Sequence, residues 1–405
     1  MNGEYVVIGN GVAGTEAAKT IRQKDSLADI KILTKDYYPF YSRPRLPELL
    51  AKEVSAEEVF IHNYEWYHKN KIQLYLNCTV KSIDTKNQKI TLTDKSNFHY
   101  DKLLLAVGSS SALPPIDGIN TTEGVFTLRS VEDVLIITRR AVLSKTVTLI
   151  GGGLLGIEAG NGLRKLGLSV TVVEFFDRLL PRQLDGEGSV ILQKQMEDIG
   201  FKFFLGAQSK SIKDSGNTKI VELKDGKVIG GDFILVSAGI KPNIKLAQET
   251  GATVNKGIIV NDRMETNIPH VYAAGDAAEH KGRIYGIWPA AQRQGVIAGY
   301  NMAGGSEVYT GTVPSTSLKV AGIHLTSMGD ILTEDKTIEQ VKIKNTSKNT
   351  YKKLFIKDGK LVGAIFLGDT KNAYEMGQLM EKKVDVTKCK ERILEADFDV
   401  KALFK

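Results

Sequence analysis

Cysteine is scarce in this sequence. Only Cys78 and Cys389 occur among 405 residues, and neither belongs to a CxxC motif or has metal-ligand spacing. A disulfide framework and a zinc site are therefore not expected, and a reducing, cytoplasmic compartment is the default expectation. Histidine is also rare, with six residues and no HExxH-type cluster. No metal site is predicted.

Long apolar runs are absent as well. No stretch approaches the roughly 18 apolar residues that a membrane span needs. The N-terminal residues MNGE carry no basic region and no cleavable apolar segment, so we expect neither a secretory signal nor membrane association. The chain, which is 42% hydrophobic, is long enough for two or three globular domains.

Acidic residues are nearly missing from one window of a chain whose formal net charge is +7. Residues 341–360 contain a single acid, Asp358, and seven lysines: Lys342, Lys344, Lys348, Lys352, Lys353, Lys357 and Lys360. A solvated strand face explains this window, and a patch that steers an acidic partner is the alternative. Because no recognition motif or aromatic-interleaved basic run accompanies these lysines, nucleic acid is not an expected partner.

Glycine, in contrast, is abundant and forms a repeat. VVIGNGVAGTEAA at residues 6–18 aligns with TLIGGGLLGIEAG at residues 148–160, with an offset of 142 residues. Each copy runs from an apolar strand through the glycines into a helix and then a second strand, which is a βαβ unit. The aligned glycines are Gly9 with Gly151, Gly11 with Gly153, and Gly14 with Gly156.

This glycine spacing suits a dinucleotide diphosphate. The first glycine permits a tight turn, the second lets the backbone approach the diphosphate, and the third lets the helix pack close to the sheet. The helix N-terminus then offers free N–H groups and a positive dipole end. Two copies in the correct strand–turn–helix context predict two dinucleotide sites.

The acid that usually follows the second strand differs between the copies. Glu174 supplies it in the second copy, and a carboxylate there favours NAD over NADP because it repels a 2′-phosphate. Arg178, four residues later, weakens that preference. In the first copy Thr34 takes the acid position, so ribose contacts are expected from Thr34 and Lys35, with Asp36 close by.

A third pattern, TNIPHVYAAGDAAE at residues 266–279, ends a strand in A-x-G-D and directs Asp276 toward a following helix. Together with YDKLLLAVGSS at residues 100–110, the chain resembles the two-dinucleotide-binding flavoproteins of the pyridine nucleotide-disulfide oxidoreductase-like superfamily. The resemblance covers roughly residues 4–312. It implies an α/β fold with two Rossmann-like domains, for FAD and NAD, and a small C-terminal α+β domain. The implied boundaries are 1–113 with 236–312 for FAD, 114–235 for NAD, and 313–405.

The resemblance also implies which residues bind FAD. The first glycine turn would hold the diphosphate, and Asp276 the ribityl chain. Further FAD contacts are implied for Val80, Ala106, Gly108, Arg129 and Trp288. Val80 and Trp288 are equally explained as core residues, and Arg129 as part of a surface ion pair. GIWPAAQRQG at residues 286–295 resembles the helix whose N-terminus faces the pyrimidine end of the flavin.

For NADH, the implied residues are the second glycine turn, Glu174, and two residues beside the nicotinamide. Glu158 matches a glutamate near the nicotinamide in relatives, although Glu16 occupies the same place in the first copy. Gly239, in SAGIKPN at residues 237–243, would allow the chain to pass close to the ring. NADPH is the less favoured substrate.

The segment YPFYSRPRLPELLAKE at residues 38–53 lies where disulfide reductases of this superfamily carry reactive cysteines, and it contains none. A thiolate is required both for disulfide exchange and for a sulfenate, so the flavin would have to pass its electrons onward directly. Arg43 is the candidate for a cation that stabilises reduced flavin, and Pro44 would fix the backbone. Ordinary surface charge is the alternative explanation for Arg43 and Arg45.

The form YSRPRLPELLAK resembles NADH:rubredoxin reductases and the N-terminal part of assimilatory nitrite reductases. The cysteine clusters that the complete nitrite enzyme needs for its iron–sulfur and sirohaem groups are absent from this sequence. We therefore predict an FAD-dependent NADH oxidoreductase, monomeric or homodimeric, that reduces a small acidic electron carrier such as rubredoxin. The alternatives are an NADH oxidase that reduces oxygen and an NADH-responsive redox-sensing module.

Short alternating strands are predicted from about Val313 onward. TYKKLFIKDGKLVGAIFLGD at residues 350–369 predicts a hairpin around Asp358 and Gly359. Residues 371–383 predict an amphipathic helix with a core face, and residues 387–398 a second helix. The residues expected on that core face are Met376, Leu379 and Met380.

Overall fold

The structure is a computed structural model that describes residues 3–332, 334–395 and 397–404. The chain divides into two compact units. The first comprises Met1–Arg43, Ser55–Ser110 and Ile240–Thr312, and the second comprises Pro44–Val54, Ser111–Gly239 and Val313–Lys405. The finer division into FAD, NAD and C-terminal domains stays a prediction. Among the described helices, none is both long enough and apolar enough to cross a membrane.

The first unit is built on a five-stranded parallel sheet whose order is Val271–Ala273, Lys102–Leu105, Glu4–Ile8, Asp29–Leu33 and Ile72–Tyr75. The predicted βαβ unit is present, because Glu4–Ile8 pairs in parallel with Asp29–Leu33. Its helix, Val12–Lys24, packs against the long helix Trp288–Met302. The two helices approach closely because Gly295 and Gly299 have no side chains: a Cβ at either would lie within 2.4 Å of a backbone oxygen of the facing helix.

Smaller elements complete the first unit. The strands Val80–Asp84, Lys89–Leu92 and Asn97–His99 form an antiparallel sheet. Two-stranded pairs join Ser109–Ser111 with Ile240–Pro242, and Ile258–Val260 with Ala278–His280. The short helices are Ala56–Val59, Tyr64–Lys69, Lys245–Glu249 and the 3-10 turn Gly275–Ala277.

The second unit repeats the parallel arrangement with the order Lys202–Phe204, Ser169–Val173, Thr146–Ile150, Phe233–Val236 and Val125–Thr127. Thr146 pairs with Ser169 and Ile150 with Val173, which matches the register of the first sheet. The helices are Val131–Val142, Leu154–Lys165, Gly186–Asp198 and, from the segment after the 3-10 turn Arg43–Arg45, Leu46–Leu50. An antiparallel sheet is formed by Ser209–Ser215, Thr218–Leu223 and Val228–Gly231.

The C-terminal part of the second unit is a five-stranded antiparallel sheet in the order Ser315–Val320, Ile323–Gly329, Lys360–Leu367, Thr350–Lys357 and Glu339–Asn345. The predicted hairpin is confirmed: Lys357 pairs with Lys360 across Asp358 and Gly359, which both have positive φ. The helix Ala373–Glu381 is also present. It buries the three predicted core residues, Met376, Leu379 and Met380.

The second predicted C-terminal helix, over residues 387–398, is wrong. The described part of that segment forms consecutive turns, and its hydrogen bonds mostly join each residue to the third before it. The Arg392 N–H bonds to the Cys389 oxygen, and the Glu395 N–H to the Arg392 oxygen. Ile393 and Leu394 are nevertheless buried, so the apolar pattern reflects core packing without a continuous helix. A 3-10 turn, Val400–Phe404, follows.

Candidate functional site

The first glycine turn has the geometry that its spacing predicts. Gly9 has φ +112°, and a Cβ there would lie 2.1 Å from the Ala106 oxygen. A Cβ on Gly14 would lie 2.0 Å from the Gly9 oxygen. Around Gly11, in contrast, the only described atom within 4 Å of such a Cβ is Nη1 of Arg43, at 3.5 Å. The first and third glycines are thus required by packing, while the second leaves an open backbone face.

The second turn repeats this geometry. Gly151 has φ +110°, and a Cβ there would lie 2.3 Å from the Ser237 oxygen. A Cβ on Gly156 would lie 2.4 Å from the Gly151 oxygen, whereas no described atom lies within 4 Å of one on Gly153. In both copies the helix begins without a side-chain cap, at Gly11 and at Gly153. The first N–H groups of each helix therefore remain available to a phosphate.

Asp276 lies in the first unit with the first turn. Its Oδ2 accepts a hydrogen bond of 2.8 Å from the Ser109 hydroxyl. The preceding Gly275 donates its N–H to Oε1 of Gln294 at 2.9 Å, and a Cβ on Gly275 would lie 3.0 Å from the Cβ of Ala13. The A-x-G-D carboxylate is thereby fixed close to the start of the helix that follows the first turn. Gln294 lies within the segment at residues 286–295 that resembles the flavin-facing helix, but no motif marks this residue.

Arg43 and Arg45 are separated by the structure. The Arg43 guanidinium bonds to Asp36 at 2.9 Å and lies beside Gly11. Arg45 instead pairs with Glu48 at 2.8 Å in the second unit, and Pro44 begins that unit. The Arg43 guanidinium is thus the cation that lies beside the first turn within the first unit.

Other predicted residues of the first unit lie next to the ends of strands. Thr34 is buried, and its hydroxyl accepts from the Asp36 N–H at 3.2 Å, while Lys35 is exposed. Val80 begins a strand and packs against the core. Ala106 is buried where it contacts Gly9.

Residues 107–110 are held by Asn243, which was not predicted as a site residue. The N–H of Asn243 bonds to the oxygen of Gly108, which has φ +63°. Its side-chain amide donates to the Val107 oxygen at 2.9 Å and accepts from the Ser110 hydroxyl at 2.7 Å. Asn243 ends the SAGIKPN segment, so its position after a proline was the available signal.

Trp288 is the first residue of the helix Trp288–Met302 and is partly buried. Its ring stacks on Phe40, with 5.5 Å between centroids and 24° between planes. Phe40 in turn lies 5.8 Å from the ring of His62. Trp288 is thus packed within an aromatic cluster at a helix N-terminus, which is compatible with either role that the sequence left open.

In the second unit, the side chain of Glu174 accepts hydrogen bonds from two backbone N–H groups, one of which belongs to the second turn. Its Oε2 accepts from the Gly152 N–H at 2.5 Å, and its Oε1 accepts from the Phe176 N–H at 2.8 Å. The carboxylate is buried at the end of the strand, in the position from which ribose hydroxyls are bound in this fold. Arg178, which the sequence suggested would offset it, bonds to Asp177 at 3.1 Å.

Glu158 lies in a protected environment in the same unit. Burial, and secondly the charge of Glu48, raise its pKa to about 7, against a hydrogen bond from the backbone of Lys319 that acts in the opposite direction. Lys319 was not identified from the sequence, because the strand Ser315–Val320 lies more than 150 residues away along the chain. Perturbed carboxyls of this kind are typical of functional sites.

Arg129 and Gly239 also belong to the second unit. Arg129 precedes the helix Val131–Val142 and donates its backbone N–H to Asp133 at 2.7 Å. Gly239 has φ +97°, and a Cβ there would have no described atom within 4 Å. Its oxygen accepts from the Ala112 N–H at 2.9 Å, so its backbone conformation and open face agree with a close approach to a ligand.

Most lysines of the lysine-rich window are paired with acids from elsewhere in the chain, which weakens the alternative of a patch that steers an acidic partner. Five of its seven lysines have acidic partners: Lys342 and Lys344 with Glu187, Lys352 with Asp369, Lys353 with Asp185, and Lys357 with Asp335. Lys353 is buried. The composition of the window does not report these ion pairs, because Asp185 and Glu187 come from the start of a helix more than 150 residues earlier.

The surroundings of both cysteines disfavour a thiolate. The Cys78 thiol donates to the Leu76 oxygen at 3.2 Å, and the Cys389 thiol to the Val386 oxygen at 3.4 Å. Burial raises the pKa of both thiols, and Asp94 and Asp385 raise them further. A thiol with a raised pKa is a weak nucleophile at neutral pH.

The residues present fit two dinucleotides. Each glycine turn combines an uncapped helix N-terminus with an open second glycine. Arg43 supplies a guanidinium beside the first turn, and Glu174 a carboxylate beside the second. Which ligand atoms these residues contact stays a prediction.

Comparisons with known proteins agree with this arrangement. The chain is 36% identical over 394 residues to the assimilatory nitrate reductase electron transfer subunit of Bacillus subtilis, covering 97% of this chain and 51% of that protein. It is 32% identical to the NADH-rubredoxin oxidoreductase of Clostridium acetobutylicum, covering 97% of both chains. The crystal structure of NADH:rubredoxin oxidoreductase from that organism matches with a TM-score of 0.79 and 28% identity, covering 96% of this chain and 97% of that one.

The chain spans about half the length of the two Bacillus subtilis relatives, the nitrate reductase subunit and a nitrite reductase. Residues 314–384 match the family described as rubredoxin NAD+ reductase C-terminal domain. Residues 3–295 match the family described as pyridine nucleotide-disulphide oxidoreductase. With two glycine turns, the A-x-G-D aspartate and this match over most of its length, the chain belongs to the pyridine nucleotide-disulphide oxidoreductase family, whose cofactors are FAD and NAD(H).

Proposed function

We propose that this chain oxidises NADH through FAD and passes the electrons directly to a small acidic iron protein, for which rubredoxin is the first candidate. The observation that carries the proposal is the absence of sulfur from residues 38–53. The thiols of the two cysteines elsewhere contact backbone oxygens, and burial raises the pKa of both. The similarity to the NADH-rubredoxin oxidoreductase over nearly the whole of both chains supports the choice of acceptor.

FAD supplies the redox chemistry when bound, since a flavin takes up electrons in a pair and can release them singly. We assign its binding to these residues: Gly9, Gly11, Gly14, Thr34, Lys35, Arg43, Val80, Ala106, Gly108, Arg129, Asp276 and Trp288. Arg43, held by Asp36, and the uncapped helix N-terminus would favour negative charge on the bound cofactor. Pro44 fixes the backbone directly after Arg43.

We assign NADH binding to Gly151, Gly153, Gly156, Glu158, Glu174 and Gly239. Glu174 would accept hydrogen bonds from ribose hydroxyls and repel a 2′-phosphate, so NADH is preferred over NADPH. Glu158, with a pKa raised to about 7, would be mostly protonated below neutral pH. Beside a nicotinamide it would be more readily ionised when the ring is oxidised and positively charged than when the ring is reduced and neutral.

Anaerobic stopped-flow tests this proposal. The protein is reduced with one equivalent of NADH, then mixed separately with rubredoxin, ferredoxin, an aromatic disulfide and oxygen, and flavin reoxidation is followed at its visible absorption band. We expect rubredoxin to be reduced at least ~10-fold faster than any other acceptor, and no disulfide reduction. If the disulfide reoxidised the flavin faster than rubredoxin does, a mechanism without a thiol would be contradicted.

An NADH oxidase is the second candidate. It is favoured by 32% identity to an NADH oxidase of Methanocaldococcus jannaschii, over 90% of this chain and 87% of that protein. The same stopped-flow series separates the two functions: if oxygen reoxidises the reduced protein faster than rubredoxin does, oxygen is the better acceptor and the carrier proposal fails.

A further inference from the structure

Asn10 occupies an unusual position between Gly9 and Gly11 of the first glycine turn. It is 3% exposed. Its Oδ1 accepts a hydrogen bond of 2.9 Å from the Tyr67 hydroxyl and one of 3.3 Å from the Thr15 hydroxyl. A buried polar side chain is thus held by its oxygen inside the turn that is built for a diphosphate.

The orientation of this amide follows from its neighbours. The Phe40 N–H donates to the Tyr67 oxygen at 3.1 Å, so the Tyr67 hydroxyl proton is free to be donated to Asn10. In the structure Oδ1 of Asn10 faces Tyr67 and gives this buried hydroxyl its acceptor. The other end of the amide, Nδ2, is left as the donor.

Nδ2 of Asn10 is buried and has no hydrogen-bond partner in the part of the chain that the structure describes. Native proteins rarely leave such a donor unsatisfied, because the desolvation cost is not recovered. The unsatisfied donor lies in the same turn as the open face of Gly11 and the uncapped helix N-terminus.

The second copy shows that this residue is not part of the general turn. Its counterpart there is Gly152, where a Cβ would lie 2.9 Å from Leu179 Cδ2 and 3.2 Å from Glu174 Oε2. The carboxylate of Glu174 thus fills the space next to Gly152. The first copy has Thr34 instead of that acid, and it carries the amide of Asn10 in the turn.

We propose that Asn10 binds FAD through its side chain, with Nδ2 donating a hydrogen bond to an oxygen of the FAD diphosphate while Tyr67 and Thr15 hold the amide in place. A hydrogen bond to an ionised phosphate is stronger than one between neutral groups. The proposal rests on FAD being the cofactor of the first turn and is independent of which protein accepts the electrons.

The test is the dissociation constant of FAD, measured from the rise in flavin fluorescence when the holoenzyme is diluted. Asn10→Asp keeps an oxygen for Tyr67 and Thr15 but replaces the donor with a charge that repels phosphate. We expect it to raise the constant by at least ~10-fold. Asn10→Gly, which introduces the residue of the second copy, removes the donor without adding charge and should raise it at least ~3-fold.

Tyr67→Phe is the matched control, because it leaves Nδ2 in place but removes the hydroxyl that orients the amide. We expect an increase smaller than that of Asn10→Asp and an unchanged NADH dissociation constant. If Asn10→Asp does not yield folded protein, Asn10→Gly decides alone. FAD dissociation constants within twofold of the original protein for whichever Asn10 variants fold would overturn the proposal, whether or not rubredoxin is the acceptor.

Discussion

The two βαβ copies share a backbone and differ in how each turn is completed. Both turns have a first glycine with φ near +110° and a third glycine packed on the carbonyl of the first. In the second copy the carboxylate of Glu174, from the end of the second strand, accepts from the Gly152 N–H of the turn. In the first copy the turn itself carries Asn10, which is held by Tyr67, and Arg43, which is held by Asp36, lies beside the turn.

The difference teaches that the glycines define a dinucleotide turn, while the residues around them define which dinucleotide. A buried carboxylate in the second copy offers acceptors to ribose and repels a 2′-phosphate. The first copy offers donors and a guanidinium, which suit a diphosphate. The repeat alone could not distinguish these two environments.

The largest expected effect is on folding free energy, and it should differ between a glycine that packs against backbone, Gly9, and a glycine that faces open space, Gly153. Gly9→Ala places a Cβ 2.1 Å from a backbone oxygen at φ +112°, so we expect a loss of roughly 3 kcal/mol or more of folding free energy, and of FAD. Gly153→Ala has open space around its Cβ and should cost under about 1 kcal/mol. Thermal unfolding and flavin content measure both.

Gly153→Ala should leave folding almost unchanged but impair NADH binding. We expect the KM for NADH to rise at least ~10-fold, because the methyl group would keep the diphosphate away from the backbone. Flavin content should stay at the original level. A Gly153→Ala protein with normal NADH kinetics would mean that this glycine does not face the nucleotide.

The next effect concerns the residue that follows the second strand of each copy, which is Glu174 in the second copy and Thr34 in the first. Glu174→Ala should lower kcat/KM for NADH by roughly 30–100-fold, equivalent to about 2–3 kcal/mol of lost hydrogen bonding to a charged group. NADPH should lose much less, because the repulsion is also removed. Thr34→Ala in the first copy is the comparison and should change the FAD dissociation constant less than ~3-fold. Equal losses with NADH and NADPH would contradict the role of Glu174.

Glu158 provides a pH-dependent prediction. Its folded pKa is raised from 4.5 to about 7, so the folded protein binds more protons than the unfolded chain between those values. The contribution of Glu158 to the free energy of unfolding therefore falls as pH rises from about 4.5 to about 7, by about 2–3 kcal/mol. Glu158→Gln should remove this slope and be more stable than the original protein at pH 8.

Glu48→Gln sharpens the same test. Since the charge of Glu48 is the second cause of the shift, its removal should move the transition to lower pH without abolishing it. Urea unfolding at half-unit pH intervals measures these slopes. An unchanged slope in Glu158→Gln would place the titrating group elsewhere.

The smallest expected effect is that of salt on rubredoxin reduction. The net charge of +7 should make the second-order rate fall with ionic strength. Because five window lysines are paired with acids, the fall should be a fewfold between about 50 and 500 mM salt rather than orders of magnitude. A second-order rate that does not change with salt would show that a basic surface does not steer rubredoxin to this protein.

The predictable part of the structure was the part encoded by local spacing. Glycine turns, parallel strands and the hairpin at Asp358 are set by backbone geometry over a few residues, so the sequence alone was sufficient for them. The choice of Arg43 over Arg45 was not predictable, since it depends on Asp36 and Glu48 as partners. The same limit applies to Lys353, whose partner Asp185 is 168 residues away.

Segment 387–398 shows the limit of apolar patterning. Cys389 with Ile393 and Leu394 with Phe398 have the i, i+4 spacing of a helix face, but successive turns also bring them to the core. The raised pKa of Glu158 arises from burial and Glu48 together, and no sequence pattern reports burial of this kind.

The most direct measurement uses the double variant Cys78→Ser, Cys389→Ser, reduced anaerobically with NADH and mixed with rubredoxin in the stopped-flow instrument. Direct transfer from flavin predicts rates of flavin reduction and of rubredoxin reduction within twofold of the original protein. A variant that binds FAD and is reduced by NADH at the normal rate, yet no longer reduces rubredoxin, would show that a thiol carries the electrons.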